Sequence, residues 1–190
     1  DWTVKVPFEA EYQAVNALLA LRAAEILGMP ENAVTDGIAG AVWPGRMERI
    51  SGGIYLDGAH NEGGIREFVK AARAVMARRR QEGFCGRSIL LFSVVSDKEY
   101  QEMAGILCRE LRPDMTVLTR LESGRGLDVQ SLRKAVSSGN IQENIRIAPG
   151  VSQALRIVLD EKKEEDTVFC VGSLYLIGEI KKCLRRNKNE

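Results

Sequence analysis

From Met47 onward the chain alternates between short apolar runs of strand length and longer segments whose apolar residues recur at helical spacing. That alternation is the strongest constraint on the fold. Parallel strands cannot be joined by a tight turn and need a crossover of roughly a dozen residues, most often a helix. Ile89–Val95 is apolar except for Ser93, the pattern of a strand covered on both faces of a parallel sheet. Further strands are expected at Met115–Leu118, Ile145–Ile147 and Thr167–Val171, and Gly52-Gly53 marks a hairpin between Met47–Ile50 and Ile54–Leu56. Helical faces fall between them, made by Ile65, Phe68, Val69, Ala72 and Met76, then by Met103, Ile106, Leu107 and Leu111, then by Val151, Ala154, Leu155, Val158 and Leu159. Asp128 is placed to cap a short helix carrying Val129, Leu132 and Val136, and a last helix carries Leu174, Ile177 and Leu184. The expected fold is α/β, a Rossmann-like, mostly parallel sheet with helices on both faces.

Residues 1–41 have a different character. Val15, Leu18, Leu19, Ala23 and Ile26 recur at helical spacing until Gly28 and Pro30, and a second short helix is expected over Glu31–Ile38. Gly40, Pro44 and Gly45 then break the pattern as a hinge or boundary. Two units are therefore expected, residues 1–41 and residues 42–190. The chain opens at Asp1 rather than Met, which reads as a piece of a longer protein.

Composition excludes several function classes. Twenty-seven Lys and Arg against 26 Asp and Glu leave a net charge of +1, so nothing favours nucleic acid or a membrane surface. The Arg78-Arg79-Arg80 run and the basic tail after Lys181 read as solvated helix ends, where cations meet the negative end of the helix dipole. Four cysteines with no C-x-x-C pair, and a single His, exclude a zinc-finger-like site and argue against a disulfide scaffold. The reading is a reducing, cytoplasmic compartment, with Cys170 as a small core residue. No apolar run approaches the roughly 20 residues of a membrane span.

In open α/β sheets ligands bind beyond the C-terminal ends of the strands. Four such ends are polar or glycine-rich: Asp57-Gly58-Ala59-His60-Asn61, Ser96-Asp97-Lys98, Ser123-Gly124-Arg125-Gly126 and Gly172-Ser173. The first places a carboxylate, an imidazole and an amide at a strand-to-helix turn. Asp57 there could accept hydrogen bonds from a ribose or hold a cation. Equally, Asp57 or Asn61 could simply cap the helix while His60 makes a local hydrogen bond. Gly63-Gly64 weakens that helix by about 1 kcal/mol per glycine relative to alanine, but leaves room for a backbone or ligand to approach. Upstream, Arg46 on the hinge could reach phosphate oxygens with its planar fork. The sequence contains neither a G-x-x-x-x-G-K-S/T loop nor a G-x-G-x-x-G after a strand, so a phosphate cradle would have to lie on another domain.

Together these residues carry a resemblance. Trp43-Pro44-Gly45-Arg46-Met47-Glu48 followed by Tyr55-Leu56-Asp57-Gly58-Ala59-His60-Asn61 resembles the opening of the C-terminal domain of the folylpolyglutamate synthase and dihydrofolate synthase family, within the Mur ligase superfamily. Tyr12-Gln13-Ala14-Val15-Asn16-Ala17 is similar to the helix closing that family's central ATPase domain. Ser96-Asp97-Lys98-Glu99 is similar to its D-K-D segment, and Gly172-Ser173-Leu174-Tyr175-Leu176-Ile177-Gly178-Glu179 to its closing G-S-L-Y-L-x-G-E. The matches run collinearly from residue 12 to residue 179.

The resemblance implies an ATP-dependent ligase that joins L-glutamate to a folate carboxylate through an acyl phosphate. It implies that the P-loop and the magnesium ligands belong to the central ATPase domain, onto which this C-terminal domain packs, so that this chain alone would be inactive and hold no metal. By match of motif, Arg46 would contact the terminal phosphates of ATP, Asp57 the nucleotide at its ribose, and Asn16 the adenine. His60 would be the catalytic residue, close to the reacting groups or the incoming glutamate. Ser173 is a further glutamate-site candidate, with Arg125 behind it. Tyr12 stands where the family has His, and Lys98-Glu99 where it has Lys-Asp, which puts the role of that His in question. Dihydrofolate synthase activity with dihydropteroate as acceptor is the alternative, followed by a peptidoglycan-precursor ligase and a non-catalytic nucleotide-binding module.

Overall fold

A computed structural model describes residues 2–122, 124–138 and 144–186. Ser123 of the third strand-end segment lies outside the described residues, as does the end of the basic tail. Two helices open the chain, α1 (Tyr12–Ile26) and α2 (Glu31–Ala39). The sheet begins with the hairpin β1 (Glu48–Ser51) and β2 (Ile54–Asp57), followed by α3 (Glu62–Gln81) and β3 (Ser88–Phe92). Next come α4 (Tyr100–Ile106), which runs into a π-helical turn at Leu107–Leu111, and β4 (Met115–Thr119). The remaining elements are α5 (Val129–Ser137), β5 (Ile145–Ala148), α6 (Val151–Glu161), β6 (Thr167–Val171) and α7 (Leu174–Arg186).

The sheet order is β1-β2-β6-β3-β4-β5. Only β1 runs antiparallel, against β2; the other four pairings are parallel. Alternation along each strand sends side chains to opposite faces. Tyr55, Leu90, Phe92, Phe169 and Val171 join Ile65, Phe68, Met103 and Leu132 in one core, so α3, α4 and α5 cover that face. Ile54, Leu56, Ile89, Leu91, Val168 and Cys170 join Val151, Leu155, Leu176 and Ile180 in the other, beneath α6 and α7. The expected mostly parallel sheet with helices on both faces is what the chain forms. Phe169 anchors the first core between Tyr55, tilted at a centroid distance of 5.7 Å, and Phe68, edge-on at 5.7 Å.

Local sequence explains most boundaries. Gly52 (φ +35°) and Gly53 (φ +82°) supply the two positive φ values that a two-residue hairpin turn requires. Asn61 caps α3 by accepting from the Gly64 N–H at 2.8 Å, and Asp128 caps α5 by accepting from Ser131 N–H at 2.9 Å. One strand is shorter than its sequence suggests. β3 ends at Phe92, although Val94 and Val95 are still buried, because its neighbour β6 turns away at Gly172 (φ +118°) and the ladder loses its partner. Val95 instead bridges to Gly126.

The opening helices pack on each other and, apart from Tyr12 at the start of α1, which packs against the core under α3, lie away from both cores. Val15, Leu18 and Leu19 of α1 are 60%, 57% and 64% exposed. The segment just ahead of α1 is nevertheless tied to the sheet domain. Ala10 is buried in the core under α3, and Glu9 forms an ion pair with Arg78 of that helix.

Candidate functional site

Register brings the strand ends to one line. Asp57 and Phe92 both pair with Val171, and Leu118 pairs with Phe92, so β2, β6, β3 and β4 finish level with one another. The segments that follow, over residues 58–61, 172–173, 93–98 and, among the described residues, 120–122 and 124–127, therefore leave from the same C-terminal edge of the sheet. This is where such sheets bind ligands.

All four segments and the start of α7 enclose a cleft of about 200 Å³ lined by His60, Val95, Asp97, Lys98, Arg125, Ser173, Leu174 and Tyr175. His60 and Ser173, singled out from sequence, thus share one site. The His60 Nδ1 lies 2.8 Å from the Gly58 carbonyl oxygen. Against a carbonyl that nitrogen must donate, so a neutral ring carries its lone pair on Nε2. The Ser173 hydroxyl oxygen accepts from Tyr175 N–H at 3.1 Å, at the start of α7, which leaves the hydroxyl proton available to an acceptor. Arg125 is also brought in. Its Nη2 meets the Asp97 carboxylate at 2.7 Å, and Ser96 N–H donates to the Arg125 carbonyl at 2.9 Å, zipping two loops together. Sequence reading placed Arg125 last because the loop contact that fixes it spans 28 positions. Lys98 and Tyr175 were not singled out as site residues; the signal for Lys98 was its place in the polar segment after β3.

Arg46 does not enter that cleft. It lines a second one, of about 390 Å³, between Pro7, Phe8 and Glu9 and the linker from Ala39 to Arg49. The two sites are joined by a tight contact in which Gly58 N–H donates to the Gly45 carbonyl at 2.7 Å. A Cβ on Gly58 would lie 2.3 Å from Cδ2 of the half-exposed Leu174, whose side chain would have to turn aside. Asp57 lies beneath the contact, 2% exposed. Its Oδ2 accepts from Met47 N–H and its Oδ1 from Ala59 N–H, each at 2.8 Å. Burial pushes its carboxyl above the ordinary range, while those two N–H groups and the Arg46 charge act in the opposite direction.

Asn16 lines neither cleft. It sits on the exposed side of α1, and its Nδ2 donates to Gln13 Oε1 at 2.8 Å. Gln13 is itself buried, and Tyr12 beside it reaches the Asp57 side of the sheet. Burial first, and then the negative charge of Asp57, raise the Tyr12 phenol above its usual pKa, with Arg46 and Gln13 opposing. The residue in the family's His position thus lies among the groups of the Arg46 side. Among the described residues no three His, Cys, Asp or Glu side chains gather as a cation site would require.

Residues 45–174 match the family described as Mur ligase, glutamate ligase domain. The dihydrofolate synthase/folylpolyglutamate synthase of Bacillus subtilis is 28% identical over 182 residues, covering 92% of this chain and 39% of the relative. The Escherichia coli protein of the same name is 29% identical over 178 residues, covering 92% of this chain and 38% of its own length. Among solved structures, Escherichia coli FolC in complex with DHPP and ADP is similar with a TM-score of 0.76 at 27% identity, over 97% of this chain and 41% of that one. Mycobacterium tuberculosis folylpolyglutamate synthase complexed with ADP shares the fold with a TM-score of 0.80 at 24% identity, over 94% of this chain and 41% of that one. The chain spans about two fifths of the length of these relatives.

Proposed function

Because the chain belongs to the Mur ligase family through its glutamate ligase domain, we propose that it is the closing domain of an ATP-dependent ligase that adds L-glutamate to a folate carboxylate. One observation carries the reading. At the edge of the sheet, His60 and Ser173 share a cleft with Lys98 and the Arg125–Asp97 ion pair, which together leave it net positive, one tight loop contact away from Arg46. A dicarboxylate amino acid fits the first group by charge, and a phosphate fits the second.

In the proposed reaction ATP phosphorylates the carboxylate of the folate acceptor. The glutamate nitrogen then attacks the acyl phosphate carbon, the new C–N bond forms, and the bond to phosphate oxygen breaks. The nitrogen can attack only after its ammonium loses a proton, and His60 Nε2, with Nδ1 committed to Gly58, is placed to take it. Ser173, Lys98 and Arg125 hold the glutamate carboxylates, and Arg46 stabilises charge on the transferred phosphate. Catalysis of this kind is largely positioning and electrostatics. Residues 1–41 belong with a central ATPase domain that supplies the phosphate cradle and the magnesium ligands, and residues 42–190 form the lid; Asn16 lies on the adenine side. Taken alone, the chain is inactive. Dihydrofolate synthase activity, with dihydropteroate as acceptor, is the second reading, because the names of the Bacillus subtilis and Escherichia coli relatives carry both activities. We assign the protein to the cytoplasm: among the described residues no helix is long and apolar enough to cross a membrane, and the four cysteines are free thiols.

The test is glutamate-dependent phosphate release by the full-length protein with ATP and a folate or dihydropteroate acceptor. Arg46→Ala should lower turnover more than tenfold, about 1.4 kcal/mol of transition-state stabilisation or more, with thermal stability nearly unchanged. Normal turnover would remove Arg46 from the site. Micromolar binding of ATP to this chain alone, measured by calorimetry, would overturn the placement of the phosphate cradle on another domain.

A further inference from the structure

The segment after β4, described at residues 120–122 and 124–127, crosses the C-terminal edge of the sheet. Leu121 is buried in the core beneath α6 and α7, and Leu127 in the core on the opposite face. The two ends of the segment approach so closely that a Cβ on Gly126 would lie 2.9 Å from the Leu121 carbonyl oxygen. This crossing brings Arg125 to the cleft that His60 and Ser173 share. On the β3 side the segment is tied by main chain. Leu127 N–H donates to the Val94 carbonyl at 3.0 Å, Ser96 N–H to the Arg125 carbonyl at 2.9 Å, and Val95 bridges to Gly126. On the α7 side the tie is a side chain. The Glu179 carboxylate accepts the Glu122 N–H, with Oε1 at 3.1 Å and Oε2 at 3.3 Å, a bond that spans 57 positions. Ser173 precedes α7, and Leu174 and Tyr175 of its first turn line the same cleft. Glu179 lies little more than about one turn beyond Tyr175 on that helix. It therefore joins the wall that holds Ser173 to the wall that holds Arg125.

We propose that Glu179 is a positioning residue for Arg125: its carboxylate holds the Glu122 amide and so sets how far the Arg125 segment stands from the start of α7. This rests on the reading of the cleft as the site for glutamate. Positioning and charge act with opposite sign here. A negative charge beside a site for a dicarboxylate repels the ligand, so by charge alone Glu179 weakens glutamate binding. By holding the segment it strengthens binding, because a guanidinium grips a carboxylate only when its planar fork is aligned. An ionised acceptor also makes a stronger bond to the Glu122 N–H than a neutral one.

The test measures KM for L-glutamate and kcat in the full-length protein with ATP and a folate acceptor. Glu179→Ala removes the acceptor, and Glu179→Asp keeps the charge but is one carbon too short to reach Glu122. Each should raise the KM for glutamate at least about threefold with kcat within about twofold of the parent. Glu179→Gln can present its amide oxygen to the same N–H and should stay within about twofold of the parent in both. Arg125→Ala should raise the KM at least as far as Glu179→Ala, and the double variant no further than Arg125→Ala, since both changes act on the same contact. A KM that falls or holds in Glu179→Ala and Glu179→Asp, or factors that multiply in the double variant, would overturn the proposal. Amide exchange gives a readout independent of turnover. The Glu122 amide should exchange at least about threefold faster in Glu179→Ala and Glu179→Asp while Leu90 and Leu91 of β3 keep their protection. An unchanged Glu122 amide refutes the proposal even if the KM rises. A parent protein that ligates no glutamate refutes the functional reading instead, whatever the exchange data show.

Discussion

Replacing Gly172 with alanine is the sharpest test of how the sheet edge is built. Gly172 joins β6 to α7 and hands the chain from the buried Val171 to Ser173. Its φ of +118° belongs to a region that is essentially restricted to glycine, and forcing a side chain into it costs about 1–3 kcal/mol. A Cβ there would also lie 2.3 Å from the Ser93 carbonyl oxygen and 2.7 Å from the Phe92 ring. Neither neighbour can yield easily. The oxygen is backbone, Phe92 and Ser93 are fully buried, and the Ser93 hydroxyl is engaged with the Thr119 carbonyl at 2.7 Å. Overpacking of this kind adds about 1–3 kcal/mol. A combined loss of about 4 kcal/mol is a large part of the roughly 5–15 kcal/mol that holds a domain folded. For a chain of this length it lowers Tm by about 8–16 °C. Urea unfolding followed by circular dichroism should show the midpoint falling with an unchanged slope. A loss below about 1 kcal/mol at unchanged slope would mean that the edge is not closed by this contact.

Two more outcomes follow from the same structure. Asp166 is 1% exposed and accepts from Arg87 N–H at 2.7 Å, Arg87 Nη2 at 2.8 Å and Lys163 N–H at 3.0 Å. Burial raises its pKa, but the Arg87 guanidinium and the two N–H groups outweigh that and leave it below the ordinary value. A depressed carboxyl stabilises the fold above its unfolded pKa of about 4 and loses that contribution as pH falls through the folded value. Asp166→Asn should therefore cost about 1.5–3 kcal/mol at neutral pH, with the gap to the parent closing in acid; a gap constant from neutral pH to pH ~3 would refute the assignment. The paired change Leu18→Lys and Leu19→Lys should leave the melting of this chain nearly unchanged but lower that of the full-length protein, where we place a companion domain over α1. Equal shifts in both would put that domain elsewhere.

How much could be read beforehand depended on how far the deciding contact lay along the chain. Apolar strands covered on both faces announce a parallel sheet by themselves, and Gly52-Gly53, Asn61 and Asp128 act on neighbours within three residues. The sequence order of the strands says nothing of β6 lying between β2 and β3. The early end of β3 at Phe92 is set by a glycine about eighty residues later, beyond any local pattern. His60 and Ser173 were legible as strand-end polar residues, whereas Arg125 depends on Asp97 across two loops. Asp57 was legible as important but not in its partners, because one oxygen is satisfied by a backbone amide upstream of the hairpin.

The central position of β6 also governs the order in which the molecule can be made. Until Thr167–Val171 has left the ribosome, β2 and β3 have no strand between them, and the nascent chain exposes two apolar strand edges at once. A ribosome stalled before β6 would hold a hairpin on one side and β3 to β5 on the other with the middle of the sheet missing. The sheet can therefore close only once β6 has been made, and a chain cut before Thr167 would be handed to chaperones and proteases.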